Sequence, residues 1–377
     1  MDFTFTEEQQ AAAEAARGVF AGVAPDAVPS PSLVTGAVAD DFDRALWARL
    51  AEADLLSLLL DAEYGGAGLD AIALCLVLRE SAKVLARVPL LESSAAAAAL
   101  QAYGSEELRP GLLARAACGE VVLTVAANGR TGHDPAELAV TARRDGDAWI
   151  LDGTQTAVPW AHIADHIVVP ARTPDDRTLL AVLPRAHAGI TIGEQISTTG
   201  ERLGELRLDS ARIAAHDVVD ADGAWEWLRE LLATGTCALA LGLGERVLAM
   251  TAEYTGGREQ FGHPIATFQA VAVQAADRFI DLRAMEVTLW QAAWRIASGA
   301  PGALPASGDV AVAKIWASDG VRRIVQTAQH LHGGFGADVD YPLHRYHAWA
   351  KHLELSLGSA PAHEEALGDL LAAHPLG

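Results

Sequence analysis

The segments REQFGHPI (residues 258–265) and HGGFG (residues 332–336) lie in the part of the chain whose pattern predicts its architecture most clearly. Long runs with apolar residues at helical spacing lie around them, at 228–256, 267–298 and 309–330. A Gly/Pro/Ala-rich stretch, GAPGALPASG, separates the last two runs. The last part of the chain is therefore predicted to be a bundle of helices.

The residues before the bundle divide into two parts of different composition. Residues 1–118 are Ala- and Leu-rich with helical spacing, and they begin with a capping box, Thr6-x-x-Gln9. Residues 119–222 carry short β-rich runs, with the turn pair Asp145-Gly146 between two of them. No βαβ alternation is visible, so a Rossmann sheet is not expected. The sequence predicts an α+β protein with an N-terminal helical domain (1–118), a middle antiparallel β domain (119–222) and a C-terminal bundle (223–377).

Composition excludes several classes of function. Of the 377 residues, 28 are Lys or Arg and 49 are Asp or Glu, which leaves a net charge of −21. This acidic excess argues against nucleic-acid binding and against docking on anionic lipid. The N-terminal residues MDFTFTEEQQ lack the features of a signal peptide, and the longest apolar uncharged stretch, 231–244, is shorter than the roughly 20 residues of a bilayer span. We expect a cytoplasmic protein with no nucleic-acid or membrane partner.

Together with LDGTQT (151–156) and DYPLHRY (340–346), the two bundle segments resemble the acyl-CoA dehydrogenase family in their order along the chain. The resemblance covers almost the whole sequence. It implies an FAD enzyme that removes hydrogens from Cα and Cβ of an acyl-CoA thioester. A carboxylate would take the α-proton and flavin N5 the β-hydride. It also implies a C-terminal four-helix bundle at which subunits meet, each helping to hold its neighbour's FAD.

The resemblance also implies which residues contact the cofactor. The planar guanidinium of Arg258 suits a pyrophosphate, because it can hold two oxygens at once. Gly333 and Gly334 omit side chains where backbone N–H groups would come close to a ligand. Phe261 offers an aromatic surface near an adenine, and Gln269 can hydrogen-bond from the following helix. The expected cofactor-binding residues are Thr124, Arg258, Phe261, Gln269, His330, Gly333 and Gly334.

The catalytic positions depart from the family. Many members carry a Glu as base after the Arg-Tyr segment, but Leu357 stands there, and leucine cannot accept a proton. Glu354 would face about 300° away on a helix. Other members place the base on the first bundle helix, near Leu232, where Glu230 would point about 200° around the helix. No catalytic residue is expected in this chain, and Glu230 is the remaining candidate.

The half-site for the chain's own isoalloxazine departs from the family as well. The family's Thr-Glu pair in the middle domain is Thr124 followed by Val125. The Trp-Ile-Thr/Ser run that stacks on the flavin ring is Ala-Val-Pro at 157–159, with Trp160 after it. His330 stands where the family commonly has Gln. The half-site that would reach into a neighbour is intact. A homo-oligomer needs both halves in one sequence, so we expect the chain to pair with a different chain.

Residues 332–360 resemble the base-lacking subunit of heterotetrameric (α2β2) acyl-CoA dehydrogenases from actinobacterial steroid catabolism. The hypothesis is a subunit that completes the FAD site of a base-bearing partner, acting on a bulky acyl-CoA such as a steroid side-chain thioester. Two alternatives remain: a homodimeric dehydrogenase with a relocated base, Glu230, and a non-catalytic scaffold paralogue. His344 and His347 could form a ligand pair, but no carboxylate or thiolate completes a metal set, so no metal is expected.

Overall fold

The computed structural model describes residues 4–39, 42–131 and 137–375, and its first layer is helical. Thr6 begins the first helix with the predicted capping box, since its Oγ1 accepts from Gln9 N at 3.2 Å and its N donates to Gln9 Oε1 at 3.0 Å. The Gln9 amide also donates to Asp70, the N-cap of the third helix. The helices are α1 (Glu7–Phe20), α2 (Arg44–Glu52), α3 (Ala71–Lys83), α4 (Leu90–Tyr103) and α5 (Arg109–Ala117).

The middle of the chain forms a sheet of eight strands within the described residues, in the order β6-β7-β3-β2-β4-β5-β8 with β1 beside β4. Most neighbours are antiparallel, as predicted, while β1–β4 and the single β2–β4 bridge are parallel. Gly146, at φ +63°, turns the β2–β3 hairpin as the Asp-Gly pair predicts. The strands are β1 (Leu123–Val125), β2 (Val140–Asp145), β3 (Ala148–Pro159), β4 (His166–Arg172), β5 (Thr178–Pro184), β6 (Ile190–Ile196), β7 (Arg202–Ala214) and β8 (Val218–Val219).

The last layer is the predicted bundle. It contains α6 (Ala224–Gly257), α7 (Gln269–Ser298), α8 (Ala306–His332), α9 (Leu343–Leu355) and α10 (Ala360–Ala373), with a short hairpin, β9 (Glu259–Gln260) and β10 (His263–Pro264), between α6 and α7. α6, α7 and α8 pack pairwise, α10 lies along α8 as the fourth helix, and α9 packs on α6 and α8. α6 is long and apolar enough to cross a bilayer, but 78% of its most apolar window is buried, as in the core helix of a soluble protein.

Helix α6 joins the bundle to the N-terminal layer at close range. A Cβ at Gly242 would lie 1.9 Å from the backbone oxygen of Arg79 on α3, and a Cβ at Gly235 would lie 2.3 Å from Leu91. Glycine at 242 is therefore required for α3 to approach α6, whereas a Cβ at 235 would displace the Leu91 side chain. One apolar core runs through both helical layers, and the sheet has a second core of its own. This packing sets the positions of α4, α6 and α9 around the site described below.

Arg87 contacts residues of all three layers, and we call Arg87 with its partner Asp26 the Arg87 clasp. Its Nη2 pairs with Asp26 and donates to the Thr199 carbonyl at 3.0 Å, in the loop between β6 and β7. Its guanidinium also lies 5.4 Å over the ring of Trp349 on α9, whose Nε1 donates to Asp26 at 3.2 Å. The Arg87 and Asp26 side chains are only 7% and 6% exposed. The pair is thus a buried ion pair with contacts to the sheet and to the bundle.

Candidate functional site

A cavity of about 80 Å³ lies where the three layers meet. Leu357, at the first base position, and Leu232, beside the second, both line it. Val125 and Pro159, which replace polar positions of the flavin half-site, line it as well. The structure therefore brings together the positions that the sequence comparison singled out, and none of these four side chains can transfer a proton.

The cavity wall is held in an unusual backbone conformation. Ala157, Trp160 and Leu357 line the cavity with φ values of +51°, +57° and +58°. Such angles cost non-glycine residues on the order of 1–3 kcal/mol each and persist only where the surroundings hold them. Asn128 supplies part of that hold, because its Nδ2 donates to Ala157 O at 2.9 Å and its Oδ1 accepts from Leu357 N at 3.2 Å. Ala157 N also donates to Gln195 Oε1 at 2.8 Å.

A buried lysine fixes the turn that carries Leu357. Lys314 Nζ donates to Gly358 O and Ser318 Oγ, both at 2.8 Å, and to two carbonyls at the end of α9 at 3.3 Å. Burial lowers the pKa of Lys314 to about 8. These carbonyls have no partner within their helix, so the ammonium satisfies them. Sequence reasoning missed Lys314; the signal was a lysine inside an otherwise apolar helical run.

Three titratable side chains line the same cavity, and sequence reasoning missed all of them. The Glu92 carboxyl accepts a hydrogen bond from Trp160 Nε1 at 3.1 Å, and burial raises its pKa to about 7. Burial also raises the pKa of Glu201 to about 8 and lowers that of His352 to about 4. All three groups are therefore mostly uncharged between about pH 4 and pH 7. Glu92 was detectable as a carboxylate within the apolar run of α4.

We expect Glu92 to make the stability of the protein pH-dependent. Its pKa is about 7 in the folded protein against the ordinary glutamate pKa of 4.5, so the folded state holds the proton more tightly. Stability should then fall as the pH rises from about 4.5 to above 7, by roughly 3 kcal/mol from this group. Glu92→Gln should remove this fall and gain stability relative to wild type at pH 8, measured by urea unfolding across the pH range. The same substitution at the exposed Glu14 should not, and parallel curves for Glu92→Gln and wild type would contradict the prediction.

Glu230, the candidate relocated base, does not line this cavity. It lies with Arg229 and His363 in the wall of another cavity, of about 460 Å³, between α6, α8 and α10. Burial raises the pKa of Glu230. Leu357 separates the two cavities, because it lines both. Glu230 therefore faces away from the position of Leu232, as the helical rotation predicts.

The residues expected to reach a neighbour lie on the outside of the bundle. The exposed Arg258 ends α6, and within the described residues its side chain makes no hydrogen bond or ion pair. Phe261 is 91% exposed at φ +54° and precedes Gly262 at φ +80° in the β9–β10 turn. Asparagine is the usual residue at such a turn position, so an exposed phenylalanine there is unfavourable for the chain by itself. Gln269, also exposed, is the first residue of α7.

The two glycines after α8 differ in what the chain requires of them. Gly333 has φ +60° and ψ −139°, a region that is essentially restricted to glycine, and its N–H caps α8 by bonding to Gln329 O and His330 O. Its N–H is therefore engaged, contrary to the expected role in ligand binding. Gly334 has no positive φ, and a Cβ there would meet nothing within 4 Å. The fold does not require glycine at 334, so the missing side chain leaves open space at the surface.

An aromatic cluster joins the glycine turn to the end of α6. Tyr254 stacks on His332 at 4.3 Å and on Phe335 at 5.5 Å between ring centroids. His332 Nδ1 donates to Ala328 O at 2.8 Å, so Nε2 is left to accept from the Tyr341 hydroxyl at 3.1 Å. These contacts hold the turn that carries Gly334 beside the last turn of α6, which leads to Arg258.

The remaining predicted residues lie elsewhere. Thr124 is fully buried on β1, and its hydroxyl donates to Pro159 O at 2.6 Å. The proton of this hydroxyl is therefore already used in a hydrogen bond within the chain. The side chain of His330 is exposed near the end of α8. His344 Nδ1 donates to Tyr341 O at 2.9 Å. Among the described residues, no group of three His, Cys, Asp or Glu side chains is placed to hold a metal ion.

Family models match most of the chain. The model described as acyl-CoA dehydrogenase, N-terminal domain, matches residues 6–120, the middle-domain model matches 124–211, and the C-terminal-domain model matches 230–369. Acyl-CoA dehydrogenase FadE27 of Mycobacterium tuberculosis is 37% identical over 382 residues, with 100% of both chains covered. FadE28 of the same organism is 31% identical over 372 residues, with 98% of each covered.

Solved structures agree with these matches. A chain of the ChsE4-ChsE5 complex from Mycobacterium tuberculosis superimposes with a TM-score of 0.89 at 36% identity, covering 100% of both chains. The steroid ACAD Tcur3481-Tcur3483 gives a TM-score of 0.88 at 36% identity, covering 97% of this chain and 98% of that one. These findings confirm the fold and the resemblance expected from the sequence: the chain belongs to the acyl-CoA dehydrogenase family of oxidoreductases.

Proposed function

We propose that this chain is the base-lacking subunit of an FAD-dependent acyl-CoA dehydrogenase and completes the cofactor site of a different, base-bearing subunit. The complex would introduce a Cα–Cβ double bond into an acyl-CoA thioester. The observation that carries the proposal is an asymmetry between two half-sites. The inner half-site, at the central cavity lined by Val125, Pro159 and Leu357, has no base of the family and little room. The outer half-site, formed by Arg258, Phe261, Gln269 and Gly334, is exposed, and Arg258 has no partner within the described residues.

The inner half-site does not fit a flavin ring. Sites that bury small-molecule ligands usually enclose about 300–1,000 Å³, and this cavity has about 80 Å³. Trp160, which follows the position of the family's stacking run, is held by its hydrogen bond to Glu92. No reaction step is therefore assigned to this cavity.

The outer half-site fits the phosphate part of FAD. Arg258 has its guanidinium free for a pyrophosphate, and the open space at Gly334 lets a ligand approach the backbone. Phe261 adds an exposed aromatic ring, and Gln269 adds a donor and an acceptor at the start of α7. When bound, FAD supplies the hydride acceptor of the reaction. This chain's residues would bind and orient the cofactor, while the partner would take the α-proton.

An apolar seam along α7 supports a protein partner at this side. We call Val273, Ile280, Val287 and Trp294 the α7 seam; they recur every seven residues and are 53%, 63%, 50% and 36% exposed. Such a spacing keeps residues on one face of a helix with a drift of about 20° per repeat, as in packed helix pairs. The seam starts one turn after Gln269, so it continues from the outer half-site. Exposed apolar faces of this extent mark interaction surfaces.

The substrate class follows from the similar proteins. The ChsE4-ChsE5 complex and the steroid ACAD Tcur3481-Tcur3483 are each named for two proteins. Their likeness to this chain supports a partner subunit of a different sequence and a bulky acyl-CoA such as a steroid side-chain thioester as the substrate. The α2β2 composition rests on the resemblance of residues 332–360. The two alternatives are less well supported. Glu230 lies outside the central cavity, and a pure scaffold has no need of an unpaired Arg258 beside an open Gly334.

Co-expression tests the proposal. The chain is produced alone and together with a family member that retains the base and the Trp-Ile-Thr/Ser run, preferably one encoded beside it. We expect a colourless protein alone and a yellow complex with one FAD per pair of subunits that oxidises acyl-CoA. Glu230→Gln in the complex should leave the rate unchanged. If the chain alone retained stoichiometric FAD and oxidised acyl-CoA, the proposal would be wrong.

The two glycines of the turn after α8, Gly333 and Gly334, give a matched pair of variants. Gly334→Ala should leave the stability of the chain within about 0.5 kcal/mol of wild type, because nothing lies within 4 Å of the added Cβ. It should weaken FAD retention in the complex about tenfold, because the methyl group occupies the open space. Gly333→Ala should instead destabilise the chain by about 1–2 kcal/mol, since its backbone is in a glycine-only region. Urea unfolding of the chain and release of FAD from the complex measure the two effects, and retention unchanged by Gly334→Ala would contradict the assignment.

A further inference from the structure

A third cavity, of about 130 Å³, is lined by Trp160 and by Arg87 of the Arg87 clasp. Arg87, Glu201, Phe42 and Trp160 line it, together with Ala39, His162, Ile163 and Arg202. A cavity needs about 10–15 Å³ to hold one water, so this one has room for several water molecules or for a small ligand. The expected function uses none of these residues.

Two ionisable side chains, Arg87 and Glu201, line this cavity without a direct partner for all of their polar atoms. Arg87 is 7% exposed, and its Nε and Nη1 have no hydrogen-bond partner, although Nη2 is engaged with Asp26 and Thr199. Glu201 is 5% exposed, and within the part of the chain that the structure describes its carboxyl group makes no hydrogen bond. Among the described residues, Arg87 pairs with Asp26 and forms no salt bridge with Glu201. Leaving such buried groups without hydrogen bonds is unfavourable, so a bound molecule that pairs with both would be stabilised.

The other walls are aromatic. The rings of Phe42 and Trp160 meet edge to face at 6.4 Å between centroids, and both line the cavity. Trp160 Nε1 is already used by Glu92, so the indole offers this cavity only an apolar surface. The cavity therefore combines one donor group, one acceptor group and an apolar wall.

We propose that this cavity binds a small α-amino acid as its zwitterion, with Arg87 holding the carboxylate, Glu201 the ammonium, and the Phe42–Trp160 wall an aliphatic side chain. A simple carboxylate would satisfy Arg87 and leave Glu201 unpaired, and a simple amine would do the reverse. A zwitterion satisfies both, because it carries an anion for Arg87 and, once the Glu201 carboxyl ionises, a cation for that carboxylate. The inference does not depend on the proposed function.

Binding should release a proton. Burial raises the pKa of Glu201 to about 8, and Glu92 and Asp26 act in the same direction while Arg87 opposes them. His162 and Arg202 also line the cavity; His162 Nε2 bonds to Leu203 O and Arg202 pairs with Glu194. At pH 7 the Glu201 carboxyl is thus mostly protonated in the free protein. It must ionise to hold an ammonium group, so close to one proton should leave for each ligand bound.

Calorimetric titration of the full chain at pH 7 tests the proposal with three probes of similar shape: L-valine, isovalerate, which lacks the ammonium, and isobutylamine, which lacks the carboxylate. We expect L-valine to bind at least about tenfold more tightly than either analogue, because each analogue leaves one buried group unpaired. Titrations in two buffers of different ionisation heat should show the released proton for L-valine and not for isovalerate.

Glu201→Gln should abolish the preference for L-valine over isovalerate, whereas Glu205→Gln, four residues further along in strand β7, should preserve it. The comparison of probes on the wild-type chain needs no variant, so the test stands even where Glu201→Gln unfolds. Two outcomes would overturn the proposal. One is the absence of L-valine binding at millimolar concentration, which would mean that the cavity holds water only. The other is equal binding of L-valine and isovalerate.

Discussion

Ile280→Asp is expected to separate this chain from its partner subunit and to leave it colourless. Ile280 lies in the middle of the α7 seam and is 63% exposed in the isolated chain, so an aspartate there is harmless to the fold. In the complex the carboxylate would be buried against apolar side chains without a partner, which is strongly unfavourable. We expect the affinity between subunits to fall at least about 100-fold, or roughly 3 kcal/mol.

Size-exclusion chromatography with absorbance at the flavin band measures both effects of Ile280→Asp at once. Ile280→Leu keeps the apolar surface and should assemble normally. Leu371→Asp places the same charge on α10, at a residue that is 39% exposed and lies off the seam, and should also assemble normally. A yellow, fully assembled Ile280→Asp complex would show that α7 does not carry the interface. A colourless Leu371→Asp sample would extend the interface to α10.

Arg87→Met is expected to destabilise the protein by about 3–5 kcal/mol, the range for breaking one side of a buried ion pair. The variant leaves the Asp26 carboxylate, 6% exposed, without its cation and removes the donor to Thr199 O. Because Arg87 also contacts Trp349, the loss weakens the contact between all three layers.

The double variant Arg87→Met/Asp26→Asn distinguishes an unpaired charge from lost packing. It should recover a large part of the loss, since the neutral amide is far less costly to bury than a carboxylate. Arg17→Met removes one partner of an exposed pair, Arg17–Glu14, and should change stability by less than about 1 kcal/mol. Urea unfolding followed by circular dichroism provides the comparison. If Arg87→Met lowered the free energy of unfolding by less than about 1 kcal/mol, the stabilising role assigned to the Arg87 clasp would be wrong.

Most of the fold was predictable from local patterns. The capping box at Thr6, the Asp-Gly hairpin and the long helices α6, α7 and α8 all appear where the sequence places them, because each depends on residues close together in the chain. Strand β6 was not predicted. Its residues are half-buried or exposed, and the strand exists because β7 pairs with it.

The candidate site divides in the same way. The loss of the base at Leu357 and the intact outer half-site were visible as residue identities. Thr124 and Gly333 were expected to contact the cofactor, but the hydroxyl of Thr124 and the N–H of Gly333 are engaged within the chain. A motif shows which groups are present, and the hydrogen bonds formed on folding show which of them remain free.

The sequence by itself determined the family, the α, β, α order and the absence of the usual base, because these follow from residue types and their spacing. Three facts required the folded structure: Glu92, Glu201 and His352 line one cavity, Glu230 lies outside it, and Arg87 and Glu201 line a further one. The physical reason is that burial and charge depend on segments far apart in the chain. A carboxylate on α4 acquires its raised pKa only when the sheet and the bundle remove water from around it.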